Sequence, residues 1–100
     1  MARIVIYYKQ SKTESTEHVV NRINNLIQRI ESYDIVVGVF VDTFNDNNKL
    51  LELLTSRLNE LDKIYINKPL DDDFNKDLIT QLSRTEHFEI LLFNNQSYHG

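Results

Sequence analysis

Continuous apolar runs alternate along this chain with segments whose apolar residues recur every three to four positions. Residues 3–8, RIVIYY, are apolar and β-branched after Arg3, as expected of a strand buried on both faces. Over 15–32 the period changes. Val19, Val20, Ile23, Ile27 and Ile30 recur at helical spacing with Leu26 on the flank, while Arg22, Gln28 and Arg29 turn to water. DIVVGVFVD, 34–42, reads as a second buried strand, and the polar loop TFNDNN follows it. KLLELLTSRLNEL, 49–61, predicts a second helix with Leu50, Leu51, Leu54, Leu58 and Leu61 inward. KIYIN, 63–67, is a short third strand closed by Pro69. Residues 71–88 predict a third helix, with Phe74, Leu78 and Leu82 as its stripe. EILLFNN, 89–95, is a fourth strand, and the tail QSYHG is expected to fray.

The order β-α-β-α-β-α-β requires crossovers, which give a mostly parallel four-stranded sheet with helices on both faces. The predicted architecture is a three-layer α/β/α sandwich with flavodoxin-like winding. Functional residues in such sheets collect at the carboxyl ends of the strands, near the point where strand order reverses. With the first and third strands as neighbours, the loop after Tyr8 faces the loop after Asn67. Lys9, Gln10 and Ser11 then approach Lys68, Pro69 and Asp71 to Asp73.

Composition narrows the classes that fit. One hundred residues with 41% hydrophobic content suit one domain with one closed core. The net charge of −4 and a pI near 5.2 lack the basic signature of a free-standing nucleic-acid binder. DNA contact is therefore not favoured by charge. The absence of cysteine fits a reducing cytoplasm and excludes disulfides and thiolate zinc sites. No apolar run approaches the roughly 20 residues of a membrane span. The chain enters strand-like sequence within three residues, which leaves no room for a signal peptide.

The element order and the segments YYKQS, IVVGVFVD, DKIYINKPLDD and FNKDLITQLSRTEHFEILLFN resemble the N-terminal catalytic domain of the serine recombinases, the resolvases and DNA invertases. That family opens with a buried strand running into Tyr-x-Arg-x-Ser and carries an Asp-Arg-Leu-x-Arg motif after its third strand. The resemblance spans about 90 residues as a pattern of elements. It matches the first motif at Tyr7 and Ser11, with Lys9 in the arginine position. It implies a resolvase-like fold over 1–100, without the long dimerisation helix and DNA-binding domain that follow in family members. It also implies a chemistry in which the Ser11 hydroxyl attacks a DNA phosphodiester, with Tyr7, Lys9 and Lys68 beside it. No cofactor is implied.

The departures fall on the groups that such chemistry needs. Negative charge accumulates on the phosphoryl oxygens in the transition state, so fixed bidentate arginines carry much of the catalysis. Lys9 keeps a charge but lacks the planar fork. TFNDNNK has no arginine, and Lys49 is its nearest cation. Aligned on Leu70, the third-strand motif reads Lys68-Pro69-Leu70-Asp71-Asp72, with both arginines gone and the second replaced by a carboxylate. Each lost donor is worth a factor of about 10²–10³ in rate, so losing two or three removes roughly 10⁴ to 10⁹. The resulting expectation is a recombinase-like module without strand cleavage, acting by contact with a protein partner or as a homodimer. An active recombinase using Ser11, and a small-ligand or metal-responsive flavodoxin-like domain, are the alternatives.

Several residues carry plainer readings as well. Ser11 and Glu14 fit a capping box. Asp71, Asp72 and Asp73 suit a helix N-terminus, and they are also candidate ligands for a hard cation such as Mg²⁺, with Asp42 contributing. His18, His87 and His99 have no zinc-like spacing, and His87 suits a helix C-terminus. Tyr7 and Tyr8 point to opposite faces. One is expected in the core and the other half-exposed beside Ser11.

Overall fold

The computed structural model describes residues 1–94, so Asn95, the tail after it and His99 lie outside the described residues. Its elements run in the expected order: β1 (Ala2–Lys9), α1 (Thr16–Ile30), β2 (Asp34–Asp42), α2 (Asn48–Leu54), a 3₁₀ turn (Leu58–Glu60), β3 (Lys63–Ile66), α3 (Asp73–Glu86) and β4 (Glu89–Leu92). The strands form one sheet in the order β2-β1-β3-β4, and every pairing is parallel. The order reverses between β1 and β3, which places the carboxyl ends of these two strands at a switch point.

Alternation along β1 separates two cores. Ile4, Ile6 and Tyr8 face α1 and pack with Val19, Ile23, Leu26 and Ile30. Val5 and Tyr7 face α2 and α3 and pack with Leu50, Leu53, Ile64, Ile66 and Ile79. The result is the three-layer α/β/α sandwich anticipated from the element order. Among the described residues no helix is long and apolar enough to cross a membrane.

Several local expectations are corrected. In α1 Leu26 and Ile30 are fully buried, whereas Val20 is 48% exposed. The apolar stripe is centred on Val19, Ile23, Leu26 and Ile30, and that rotation carries Val20 to the flank. The second helix stops at Leu54 instead of running to Leu61. Thr55 Oγ1 donates to the carbonyl of Leu51 at 3.0 Å and Ser56 Oγ to that of Leu53 at 2.6 Å. Both carbonyls also accept the backbone amides of Thr55 and Ser56 at 3.1 Å, so each hydroxyl is a second donor that competes with continuation of the helix. Leu58 and Leu61 still reach the core through the 3₁₀ turn, while Leu51 is exposed and Leu53 takes its inward place. In α3 the buried positions are Asn75 and Ile79, and Phe74, in the first turn, is 71% exposed.

The largest departure concerns β2. It pairs only with β1 and forms one edge of the sheet. Ile35, Val37, Val39 and Val41 are all exposed, so the strand is only partly covered, with Val36 and Phe40 packing against the two cores. An apolar run reads alike whether its strand is central or marginal; only the pairing order separates the two.

Candidate functional site

At the switch point, β1 and β3 are joined beyond the last residue of their ladder. The Asn67 side chain accepts from the Lys9 amide at 2.8 Å and donates to the Lys9 carbonyl at 3.0 Å, imitating one more strand pair. The two loops therefore meet as the sequence predicts. Beside them lies a cleft of about 150 Å³ whose polar lining includes Tyr7, Lys9, Lys68, Asp71, Asp72 and Asn75. Leu50, Phe44, Pro69 and Leu70 complete its apolar walls. The cleft gathers Tyr7, Lys9 and Lys68 with two of the three aspartates. Ser11 and Asp73 do not line it.

The tyrosines divide the loop chemistry between the two faces of the sheet. Both are buried, Tyr7 at 1% and Tyr8 at 0% exposure, so the expectation of a half-exposed tyrosine beside Ser11 is corrected. Each hydroxyl is buried with a carboxylate as its partner. Tyr7 donates to Asp42 Oδ2 at 2.8 Å. That same oxygen accepts from the Leu50 amide at 2.9 Å, and Asp42 Oδ1 accepts from the Lys49 amide at 2.8 Å. Asp42 is thus a clasp between β1, the end of β2 and the first turn of α2. Burial, then the hydrogen bond to Asp42 and its charge, push the Tyr7 hydroxyl far above the ordinary phenol value.

On the opposite face Tyr8 donates to Glu14 Oε2 and accepts from Arg22 Nη1 at 3.1 Å. The Arg22 guanidinium carbon lies 5.5 Å from the ring centroids of both Tyr8 and Phe93. Glu14 Oε1 accepts from the Ser11 amide at 3.0 Å, and Glu14 Oε2 lies 3.4 Å from His18 Nε2. Burial raises the Glu14 carboxyl, but the Tyr8 hydroxyl, the Ser11 amide and the nearby His18 and Arg22 outweigh it, and the net shift is downward. Burial, and the bond to Glu14 against the opposing effect of Arg22, raise Tyr8.

Ser11 is exposed and begins a turn closed by the Glu14 amide on its carbonyl at 3.1 Å. The cap of α1 is Ser15, whose hydroxyl accepts from the His18 amide at 3.1 Å. Glu14 still bonds the Ser11 amide, so half of the anticipated capping box survives as a loop clamp. Lys9 turns its ammonium to the β2–α2 loop, donating to the Asp46 carbonyl and to Asn47 Oδ1 at 2.8 Å. Asp72 caps α3, accepting from the Phe74 amide at 2.9 Å and from Asn75 Nδ2 at 3.2 Å. Among the described residues no three of His, Asp and Glu group so as to hold a metal ion. His87 sits at the left-handed end of α3, with φ 62° and ψ 46°.

Sequence reasoning missed Asn75, Asn47 and Phe44 as cleft residues, Arg22 as a partner of Tyr8, and the bond between Glu14 and Tyr8. An Asn on the inward stripe of α3 was the available signal for the first, since a buried polar group needs a partner. No protein-family model, no curated protein and no solved structure matches the chain. The architecture is that of the flavodoxin-like and resolvase-like α/β folds, and no sequence relationship ties the chain to a particular recombinase family.

Proposed function

We propose that this chain is a recombinase-like α/β module that acts by binding and does not cleave DNA strands. The observation that carries the reading is the engagement of Lys9. Its ammonium, the candidate replacement for the first motif's arginine, is bonded to Asp46 and Asn47, and Ser11 lies outside the cleft that Lys9 lines. Lys68 shares that cleft with Asp71 and Asp72, whose charges oppose a phosphodiester. Transition-state stabilisation requires fixed donors aimed at the phosphoryl oxygens; here the available cations are spent on loop contacts or stand beside acids. Exposed Val20, Ile35, Val37, Val39 and Val41 supply apolar surface of the kind that marks interaction sites.

The test is covalent capture. The chain and its Ser11→Ala variant are incubated with supercoiled DNA and denatured in detergent, and protein-linked DNA is measured. The expected result is no adduct above the variant's level. A Ser11-dependent adduct would restore the active-recombinase reading.

A small-ligand reading has one observation in its favour, the switch-point cleft itself, which combines Lys9, Lys68 and the buried Asn75. A thermal-shift screen with Mg²⁺, Mn²⁺ and nucleotides tests it, because a ligand at 100 times its Kd stabilises a fold by about 2.7 kcal/mol. An unshifted melting temperature across that screen counts against it.

A further inference from the structure

We infer that β2 is a self-association edge, and that two copies of the chain pair through it, antiparallel, about a two-fold axis at Phe40. This deepens the binding reading above by naming the partner as a second copy, and it rests on that reading.

Edge strands expose unpaired amides and carbonyls, and proteins usually protect them with lysine, proline, short length or a bulge. β2 is nine residues long and carries neither lysine nor proline. Its two charged residues are its ends, and both are turned inward. Asp34 is 6% exposed with Lys63 Nζ 3.7 Å from its carboxylate, and Asp42 is 2% exposed and held by Tyr7 and the first turn of α2. The single protective device is a register shift at Val37, opposite the Ile4–Val5 step of β1. Beyond it, residues 38–42 pair regularly with Val5 to Lys9 and offer a straight edge.

That segment is self-complementary under a dyad. Val39 and Val41 pair with Ile6 and Tyr8, so they lie on the α1 face; Phe40 pairs with Tyr7, so it lies on the opposite face. An axis through Phe40 and normal to the sheet sets Val39 of one copy against Val41 of the other, twice, on the α1 face. It sets Phe40 against its own mate on the other face. Cross-strand pairs between β-branched residues and between aromatic rings are the combinations that stabilise antiparallel ladders. The symmetry is isologous and closed, which limits the assembly to two chains.

The flanks fit as well. Arg22, Asn25 and Arg29 line the side of α1 toward Phe93, so the opposite flank, which carries the exposed Val20, lies toward β2. No charged side chain intervenes along residues 35–41, so the chain's net charge of −4 does not place like charges at the seam. Pairing the five regular residues, 38–42, of each strand forms about four backbone hydrogen bonds, two for each of the Val39–Val41 pairs. A second copy therefore supplies the backbone partners that the outer edge of β2 lacks, and sets apolar side chains beside its exposed valines.

Light scattering of the chromatographed full chain tests this, from micromolar to near-millimolar concentration, for wild type and for the Val39→Lys/Val41→Lys double variant. Both positions are exposed, and retention of fold is checked by circular dichroism. Wild type is expected to run at the mass of two chains, with the double variant's dissociation constant raised more than about tenfold by like charges set opposite one another. Hydrogen exchange should show β2 amides protected in wild type and released in the variant. A wild-type monomer throughout the range, an open series of larger species, or a dimer unaffected by the two lysines would each overturn the proposal. A monomer that also forms no Ser11 adduct would end this inference while leaving the non-cleaving reading in place.

Discussion

Asp42 is the group on which the switch-point geometry depends most, and removing it gives a quantitative test. In Asp42→Ala the Tyr7 hydroxyl and the Leu50 amide lose their acceptor; both residues are 1% exposed, so water does not readily replace it. The Lys49 amide loses its partner too, but it is only part-buried and can turn to solvent. Two buried donors left unsatisfied cost about 1–3 kcal/mol each. The expected loss is therefore about 2–6 kcal/mol. With a urea m-value of about 1–3 kcal/mol/M, this moves the midpoint down by roughly 2 M. Tyr7→Phe leaves Asp42 with two amide partners and should cost about 1–2 kcal/mol. The double variant removes the orphaned hydroxyl along with the carboxylate, so its loss should fall short of the sum by about 1–2 kcal/mol. Urea unfolding at pH 7, followed by circular dichroism with the m-value checked for constancy, measures all three. A cost below about 1 kcal/mol for Asp42→Ala, or additivity within about 0.5 kcal/mol, would refute the clasp.

Alkaline pH should unfold the chain. Tyr7, Tyr8 and Tyr65 are all raised by burial above their ordinary 10.0, so each contributes stability that is complete below pH 10 and is lost as pH climbs toward the folded value. The loss is up to about 1.4 kcal/mol per pH unit for each tyrosine. Denaturant midpoints at pH 8 and 11, with tyrosinate absorbance, should show ionisation of these three tyrosines coinciding with unfolding; ionisation of all five of the chain's tyrosines while it is still folded would contradict this. Asn67→Ala should cost about 1–2 kcal/mol, because both backbone groups of Lys9 lose a partner at a site only partly open to water. A loss under about 0.5 kcal/mol in urea would show that solvent replaces the bridge. His87→Gly should stabilise by about 1 kcal/mol, since glycine adopts the φ of 62° without steric cost; a lower melting temperature would contradict that.

Much of the fold is legible in the chain itself, because its longest signals are periodic. The uninterrupted run Ile4–Tyr8 matches a strand covered on both faces, and the helical repeat expected over 15–32 lies within two residues of α1 at either end. Crossover rules give the parallel sheet, and once β1 and β3 are taken as neighbours, as in flavodoxin-like winding, the loops after Tyr8 and Asn67 meet. What escapes is whatever the pattern leaves degenerate. DIVVGVFVD has the composition of a central strand, and its exposure depends on the absence of a neighbour beyond it. Leucines continue at helical spacing past Leu54, although the helix ends there and the Thr55 and Ser56 hydroxyls turn back onto its last carbonyls. Phe74 outranks Asn75 on any hydrophobicity scale, but Asn75 is the residue turned inward, where Asp72 receives its amide.

The candidate site was legible as a place and not as an arrangement. Chain topology brings Lys9, Lys68 and the aspartates into one neighbourhood, but the contacts that decide their roles come from loop residues with no periodicity: Asp46 and Asn47 on Lys9, Glu14 on Tyr8 and the Ser11 amide. Those contacts hold Lys9, Tyr8 and the Ser11 amide within the loops.

The most direct measurement is the rate at which purified chain nicks supercoiled plasmid, followed over time beside Ser11→Ala under identical conditions. The account predicts superimposable traces at the background rate. Nicking by the wild type that vanishes in Ser11→Ala would contradict it.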